Sequence, residues 1–268
     1  MGGLGTAVTI GERGDTWNRE FRYFIFLLFF VMQGYSHFGF SAEYRMGGTS
    51  PEALLCRPDG KGPFPALVYN HGVGVDIHGY QKAVRRGYNL PAICKELAAG
   101  GFLTFIPIRL GGPGTTTLQS HKAQVLEAID YVKSLPEVDP SRIAVAGNSR
   151  GALLTLMVGI EQRGLKALVI MALASVGGNF SATLPQVSSL DAPVLLLIEA
   201  SDEREHQNIF DTMDRALRED KKEVKSIRYT RGGGHNLFHG ADYYLQDVKA
   251  FLREKLMVSS AVHSIENR

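Results

Sequence analysis

The stretch that decides the fold is Arg142–Glu161, which reads RIAVAGNSRGALLTLMVGIE. Its opening residues, Arg142–Ala146, are apolar after the arginine and partly β-branched, and they predict a short strand. Its second half, Gly151–Glu161, is apolar and predicts a helix. The residues GNSRG at 147–151 join the two segments and form a Gly-x-Ser-x-Gly motif. That motif is common by itself, but its place between a strand and a helix indicates a sharp turn that presents the serine.

Such a turn puts Ser149 in a chemically favourable position. The flanking glycines, Gly147 and Gly151, avoid collisions with the neighbouring strand and helix, and the serine hydroxyl then stands at the carboxyl edge of the sheet. The helix that follows offers unpaired N–H groups and the positive end of its dipole to a developing negative charge. We therefore interpret Ser149 as a candidate nucleophile. The alternative is a serine that only shapes the turn and caps the helix.

The alternation of strand and helix continues on both sides of this stretch. From about Ser41 onward it predicts an α/β fold with a mostly parallel sheet that is covered by helices on both faces, after two antiparallel opening strands. Val176–Leu190 has no clear period and is interpreted as a cap over the site. The predicted strands are Ala42–Met46, Glu52–Arg57, Pro65–Asn70, Phe102–Ile108, Arg142–Ala146, Leu165–Ala172, Pro193–Glu199 and Glu223–Thr230, and the other predicted helices are Leu90–Ala99, Leu118–Ser134, Glu205–Leu217 and Ala241–Leu256.

A serine hydroxyl is a weak nucleophile at neutral pH and needs a base that takes its proton. Of the eight histidines, only His235 lies in a loop just past a late strand, directly after the glycines at 232–234. These glycines allow the backbone to bring the imidazole over the serine. His239 is the nearest alternative, but its place closer to the following helix favours a capping or packing role.

The base in turn needs a carboxylate that holds its tautomer and stabilises the imidazolium. In the chain order serine, acid, histidine, this acid follows a strand that lies between the other two residues. Asp202 comes just beyond the strand Pro193–Glu199 and is the preferred candidate. Glu199 and Glu203 are alternatives, and Asp202 also suits a role as the N-cap of the next helix.

The tetrahedral intermediate of acyl transfer carries an oxyanion, which needs preorganised donors. The backbone N–H of Arg150, directly after the serine, is one candidate. The loop His71-Gly72-Val73-Gly74 supplies the other, with the N–H of Val73 preferred. The alternative for this loop is a glycine-rich turn without function. The sequence contains no P-loop, and no dinucleotide-binding glycine motif follows a strand, so phosphate and dinucleotide binding are unsupported.

The composition excludes several classes of protein. The 268 residues are 44% hydrophobic and 21% charged, as in an average soluble globular protein. A net charge of +2 without a long basic run argues against a nucleic-acid partner. Cys56 and Cys94 are too few for a disulfide framework, and their spacing fits no metal-ligand pattern. We expect two buried thiols, with a single bridge as the alternative if the protein is exported.

The apolar run Tyr23–Met32 is too short to span a bilayer comfortably, but it matches the hydrophobic region of a secretory signal. Gly34 and Ser36 suit a cleavage site, and Ser41-Ala42 is a poorer alternative because Phe40 then lies at the −3 position. We therefore expect residues 1–40 to form a signal peptide or anchor-like segment, which is the expected place of any membrane contact, and residues 41–268 to form a single domain. The location is then periplasmic or extracellular. If the run is instead a buried strand or helix, the location is cytoplasmic.

The order of HGVG at 71–74, GNSRG at 147–151, Asp202 and His235 resembles the α/β-hydrolase superfamily, in particular its dienelactone-hydrolase-like branch. The resemblance spans about residues 41–256. It implies an α/β-hydrolase fold with an eight-stranded, mostly parallel sheet and helices on both faces. It also implies a Ser-Asp-His hydrolase that uses neither a metal nor an organic cofactor.

Two departures from that branch bear on the activity. Dienelactone hydrolases use a cysteine nucleophile where this chain has Ser149, and Pro107–Leu110 reads PIRL where many relatives carry Asp-x-Arg-Gly. The leading hypothesis is therefore a general carboxylic ester hydrolase that acts on small-molecule esters through an acyl-serine. The alternatives are a peptidase or acyltransferase of the same fold, or a non-catalytic binding protein that retains the fold.

Overall fold

One sheet of eight strands organises the part of the chain that the structure describes. The computed structural model describes residues 42–44, 53–109, 112, 114 and 117–257, all within one compact unit, Gly39–Arg268. The predicted N-terminal segment 1–40, with its apolar run, lies outside the described residues. The strands are β1 Ala42–Tyr44, β2 Ala53–Cys56, β3 Phe64–Asn70, β4 Leu103–Pro107, β5 Val138–Asn148, β6 Ala167–Met171, β7 Val194–Glu199 and β8 Val224–Tyr229.

The sheet has the strand order β1-β2-β4-β3-β5-β6-β7-β8. β2 pairs antiparallel with β1 and β4, whereas every other pair is parallel. The predicted eight-stranded, mostly parallel α/β sheet is thus confirmed. Because parallel strands end at one edge of a sheet, the residues that follow β3, β5, β7 and β8 all emerge at the same edge. Ser149, Asp202 and His235 are among these residues.

Helices cover both faces of the sheet. The buried side chains of α4, α5 and α7 form one core with alternate strand residues, and those of α3 and α8 form a second core on the opposite face. None of the described helices is long and apolar enough to cross a membrane. The helices are α1 Val73–His78, α2 Tyr80–Arg85, α3 Leu90–Ala99, α4 Leu118–Ser134, α5 Arg150–Glu161, α6 Asn179–Thr183, α7 Arg204–Glu219 and α8 Tyr244–Leu256, with 3-10 helices at Leu184–Ser189 and Gly234–His239.

The local signals of the sequence account for elements such as α3. Asn89 caps this helix, because its side-chain oxygen accepts the N–H of Ala92 at 3.2 Å. The helix ends before Gly100, and Gly101 then takes a φ of 98°, which favours glycine. The bounds of α3 and α4 are those predicted from the sequence.

The structure differs from the prediction in the segment after β3. The sequence suggested a glycine-rich loop at His71–Gly74, but Val73 and Gly74 already belong to α1. Glycine has a low helix propensity, so the pattern gave no helix signal here. Gly74 is needed because a Cβ at this position would lie 2.5 Å from the ring of Tyr88. A tertiary contact therefore overrides the local preference.

Cys56 on β2 and Cys94 on α3 form a disulfide, so the expectation of two buried thiols is wrong. Their Cα atoms lie 5.8 Å apart. The pairing depends on tertiary structure, because β2 lies beside β4 in the sheet and α3 packs against this part of it. The bridge links residues 38 positions apart in the chain and ties the antiparallel part of the sheet to the helix layer.

We expect reduction of this disulfide to lower the free energy of unfolding by about 4 kcal/mol, because the bridge restricts the unfolded chain over a long loop. Urea unfolding of the oxidised protein with and without dithiothreitol measures the difference. A variant with Cys56→Ala and Cys94→Ala is the control, and its stability should not respond to the reductant. Two titratable thiols in the denatured, unreduced protein would contradict the pairing.

Candidate active site

The Gly-x-Ser-x-Gly motif forms a strained turn between β5 and α5. Ser149 has a φ of 55° and a ψ of −121°, which residues with side chains rarely adopt. Its N–H donates to the carbonyl oxygen of Met171 at the end of β6 (2.9 Å). Strain of this kind costs about 1–3 kcal/mol and persists only where the surrounding structure enforces it. The fold therefore holds this serine at the carboxyl edge of the sheet.

The two glycines of the motif are required by close contacts of the backbone. A Cβ at Gly147 would lie 2.3 Å from the carbonyl oxygen of Gly151. A Cβ at Gly151 would lie 2.1 Å from the carbonyl oxygen of Asn70, the last residue of β3. Neither position accepts a side chain, because the neighbouring atoms are backbone and do not give way. α5 therefore starts directly against the ends of β3 and β5.

The two predicted oxyanion donors both lie at helix starts. Val73 is the first residue of α1 and Arg150 is the first residue of α5. The first N–H groups of a helix have no partner inside the helix, and helix starts commonly bind anions. The two helix starts also approach each other, because a Cβ at Gly72 would meet the side-chain nitrogen of Asn148 at 3.2 Å. Their role as an oxyanion hole stays a prediction.

A buried ion pair between Arg109 and Asp76 braces the segment that carries Val73. The Nη2 atom of Arg109 lies 2.8 Å from Oδ2 of Asp76, and its Nε donates to Oδ1 at 3.2 Å. Both side chains are fully buried. Nη2 also donates to the carbonyl oxygen of His71 at 2.7 Å. Because the loss of one partner would leave a buried charge, the pair strongly favours this arrangement.

His71 completes this brace as a neutral histidine. It is fully buried, and burial, assisted by the nearby charge of Arg109, lowers its pKa to about 3. Its Nδ1 lies 2.9 Å from the carbonyl oxygen of Gly72, and its Nε2 accepts the backbone N–H of Arg109 at 3.3 Å. These contacts hold the chain between β3 and α1. Sequence reasoning assigned neither His71 nor Arg109 a role.

The side chain of Arg150 connects the same cluster to the segment before α4. Its Nη2 donates to the carbonyl oxygen of Gly114 at 2.8 Å and to the hydroxyl of Thr117 at 3.0 Å. Its Nε lies 3.7 Å from Oδ2 of Asp76. The Asp76 carboxylate thus interacts with two arginines and links three segments at the edge of the sheet.

The structure brings the predicted acid and base together. The Nδ1 atom of His235 lies 3.0 Å from Oδ2 and 3.2 Å from Oδ1 of Asp202. The Asp202 side chain is fully buried, and that of His235 is 24% exposed. Oδ1 also accepts the N–H of Glu203 at 2.7 Å, which fixes the carboxylate. This contact orients the imidazole with Nδ1 as donor and leaves Nε2 as the acceptor.

The structure does not join all three predicted residues by hydrogen bonds. Within the described residues, no hydrogen bond connects the hydroxyl of Ser149 to the His235 ring. Ser149 follows β5 and Asp202 follows β7, two strands along the sheet. In enzymes without substrate, catalytic hydrogen bonds are often long and tighten only in the Michaelis complex.

His206 is a second imidazole on the same carboxylate. Its Nδ1 lies 3.3 Å from Oδ1 of Asp202, and its ring centroid lies 4.5 Å from that of His235. Burial by itself raises the pKa of Asp202, but the two histidines outweigh it and hold this pKa well below its usual range. The Asp202 carboxylate in turn raises the pKa of His206. Sequence reasoning missed His206, although its i, i+4 spacing from Asp202 was a usable signal.

Glu199, the alternative acid, instead holds together the two loops that carry Asp202 and His235. Its buried carboxylate accepts the N–H groups of Ser201 (2.6 Å), Gly232 (2.9 Å) and Gly234 (3.2 Å). It also accepts the hydroxyl of Ser201, which is the main cause of its lowered pKa. A charged residue at the end of an otherwise apolar strand was the available sequence signal.

The alternative base, His239, has the contacts of a packing residue. Its ring stacks on that of Tyr88 with centroids 3.9 Å apart, and its carbonyl oxygen accepts the N–H of Asn89 at 2.7 Å. Burial lowers its pKa to about 4, with a further contribution from His235. His239 therefore remains neutral and forms one wall beside the His235 ring, at 5.9 Å between centroids.

Comparison with known sequences adds to this description. Residues 126–238 match the family described as BAAT / Acyl-CoA thioester hydrolase C terminal, and this range contains Ser149, Asp202 and His235. Two proteins from strains of Mycobacterium tuberculosis, the uncharacterized proteins MT2364 and Rv2307c, are each 26% identical to the chain over 218 residues. The alignment covers 74% of this chain and 67% of theirs.

Solved structures share the fold. A protein from Klebsiella pneumoniae assigned as a dienelactone hydrolase superimposes with a TM-score of 0.59 at 21% identity, over 82% of this chain and 98% of its own. A fungal esterase from Rhizomucor miehei gives a TM-score of 0.63 at 16% identity, over 81% of this chain and 83% of its own. At these identities the likeness shows the architecture.

We expect Glu199→Gln to lower the free energy of unfolding by about 2 kcal/mol, because an amide offers one acceptor oxygen where several donors converge on a buried carboxylate. Hydrogen exchange at the amides of Gly232 and Gly234 should accelerate. Urea unfolding and exchange mass spectrometry measure the two effects. The control is Glu223→Gln, whose carboxylate pairs with Lys255 at the surface and should contribute less than about 1 kcal/mol. Equal effects of the two substitutions would contradict the bracing role.

Proposed function

We propose that the chain, which has an α/β-hydrolase fold, is a serine hydrolase of the dienelactone-hydrolase-like type that cleaves carboxylic esters of small molecules. The observation that carries the proposal is the hydrogen bond between Asp202 and His235, at the same edge of the sheet as the strained turn of Ser149. A buried carboxylate, an oriented imidazole and a serine in a strained strand-to-helix turn are the parts that acyl transfer to serine requires.

The reaction proceeds through an acyl-serine. His235 accepts the Ser149 proton on Nε2, and the serine oxygen attacks the carbonyl carbon of the ester. The ionised Asp202 stabilises the imidazolium through Nδ1. His235 then donates its proton to the leaving alcohol, and a water molecule attacks the acyl-serine by the same route. His235 Nε2 is the atom that must approach the serine hydroxyl when substrate is bound.

The charge of the tetrahedral intermediate is stabilised by backbone N–H groups. Val73 and Arg150 donate to the oxyanion from the first turns of α1 and α5, where the helix dipoles add to the hydrogen bonds. The buried cluster of Arg109, Asp76 and His71 keeps the first of these helix starts in place. The donors are therefore preorganised and need no rearrangement during the reaction.

A thioester substrate is the second candidate, because the matched family is described as an acyl-CoA thioester hydrolase C-terminal region. The same acyl-serine chemistry serves both substrates, since a thiolate leaves in place of an alcohol. A panel of p-nitrophenyl esters and acyl-CoA thioesters of matched acyl length separates the two candidates. Faster turnover of the thioesters would favour the second.

We expect Ser149→Ala to lower kcat for p-nitrophenyl acetate by about 10⁴-fold or more, because the members of a catalytic triad act as a unit. Labelling by a fluorophosphonate probe should also disappear. Ser134→Ala is the matched control, because Ser134 is exposed at the end of α4 and should leave activity and labelling unchanged. Full activity of Ser149→Ala would remove this serine from the mechanism.

We also propose that the protein is exported. Two observations support this proposal: the apolar run Tyr23–Met32 with small residues after it, and the disulfide between Cys56 and Cys94, since such bridges persist in oxidising compartments. Cleavage after Ser36 would then release a chain that begins at His37.

N-terminal sequencing of the protein from the periplasmic or extracellular fraction of its producing cells should accordingly start at His37. Substituting Ser36→Tyr places a large residue at the −1 position and should block processing, whereas Gln33→Ala outside the −3 and −1 positions should not. An uncleaved chain in the cytoplasm with both cysteines reduced would refute export.

A further inference from the structure

Two imidazoles and one carboxylate, all common ligands of transition metals, lie close together. Asp202, His206 and His235 each present a ligand atom, and these atoms lie within 4.8 Å of one another. It is the only group of this kind found in the described part of the chain. The catalytic pair proposed above uses two of the three residues, and His206 has no part in that mechanism.

The distances suit a tetrahedral ion. Ligand atoms at about 2.0–2.1 Å from a Zn²⁺ ion lie roughly 3.3 Å apart. The Nδ1 of His235 is 3.2 Å from Oδ1 of Asp202, and the Nδ1 of His206 is 3.3 Å from the same oxygen. The N–H of Glu203 also donates to Oδ1 at 2.7 Å and holds the carboxylate in place, as outer contacts of metal ligands commonly do.

His206 supplies the observation that the hydrolase mechanism does not explain. Its Nδ1 atom is buried and makes no well-aligned hydrogen bond within the described part of the chain, although Oδ1 of Asp202 lies 3.3 Å away. A buried nitrogen without a well-aligned hydrogen bond is uncommon in native structures, and a bound cation would use its lone pair. The side chains of His206 and His235 are 15% and 24% exposed, so the cluster lies close to the surface.

We propose that Asp202, His206 and His235 bind a single Zn²⁺ ion, with a water molecule in the fourth position, and that the bound ion inhibits hydrolysis. Two imidazoles and a carboxylate form a donor set that zinc readily accepts. The ion is a reversible inhibitor and takes no part in the reaction.

The inhibition follows from the tautomer of His235. As a base, this histidine carries its proton on Nδ1 and keeps the Nε2 lone pair for the serine. A zinc ion takes the Nδ1 lone pair, so the proton moves to Nε2, which can no longer accept a proton from Ser149. The ion also removes the Asp202 carboxylate from the imidazole. The inhibition, but not the binding, rests on the proposed function.

Binding is tested on the full chain without reference to activity. Titration with Zn²⁺ in a calorimeter should give one site per chain, and Co²⁺ as a spectroscopic substitute should give the intense visible bands of a tetrahedral complex. His206→Ala should weaken the affinity by at least about tenfold, since even outer-shell partners contribute that much. His78→Ala is the control, because His78 is half-buried on a different segment and contacts Arg86 outside the cluster.

Inhibition is tested by labelling of Ser149 with a fluorophosphonate probe. Zinc should suppress labelling in the natural protein and in His78→Ala, and about tenfold more zinc should be needed in His206→Ala, each compared with the same variant in EDTA. His206→Gln is a second variant at this position, and circular dichroism checks that both variants are folded. Zinc affinity that is unchanged in a folded His206 variant would overturn the site, and a 1:1 complex with undiminished labelling would overturn the inhibition. A protein that binds Co²⁺ but is not labelled by the probe even in EDTA would refute the proposed hydrolase function and not the metal site.

Discussion

The strained turn at Ser149 is the constraint on which the rest of the site depends. A positive φ at a residue with a side chain is held only because α5 begins in direct backbone contact with β3 and β5, at Gly147 and Gly151. The same contact places the start of α5 against the backbone of Asn70 and His71, just before α1. A side chain at either glycine would push α5 off the sheet, and the serine and its neighbouring donors would separate.

Two buried carboxylates make the sheet edge rigid on either side of this turn. Asp76 binds Arg109 between the segments after β3 and β4, and Glu199 collects the N–H groups of the loops after β7 and β8. Each carboxylate sits at or beyond a strand end, where several loops converge on one charge. A site whose loops are fixed in this way needs little reorganisation to stabilise a charged intermediate.

Asp202 differs from these two carboxylates because two imidazoles lie within contact distance of it. The proximity of His206 and His235 keeps its carboxylate ionised despite full burial. An ionised carboxylate orients a base, and it is equally a good metal ligand. The arrangement that suits proton transfer therefore also suits a divalent cation. His206 distinguishes the two roles, because it takes part only in metal binding.

The sequence alone determined the α/β architecture, because apolar periodicity and glycine positions are local signals of strands, helices and turns. It also predicted Ser149, Asp202 and His235 as candidates, since each follows a recognisable strand. The tertiary structure alone decided the contacts of Glu199 with Gly232 and Gly234 and the pairing of Cys56 with Cys94. These contacts join residues more than 30 positions apart, and only the packing of strands, helices and loops brings their atoms within reach.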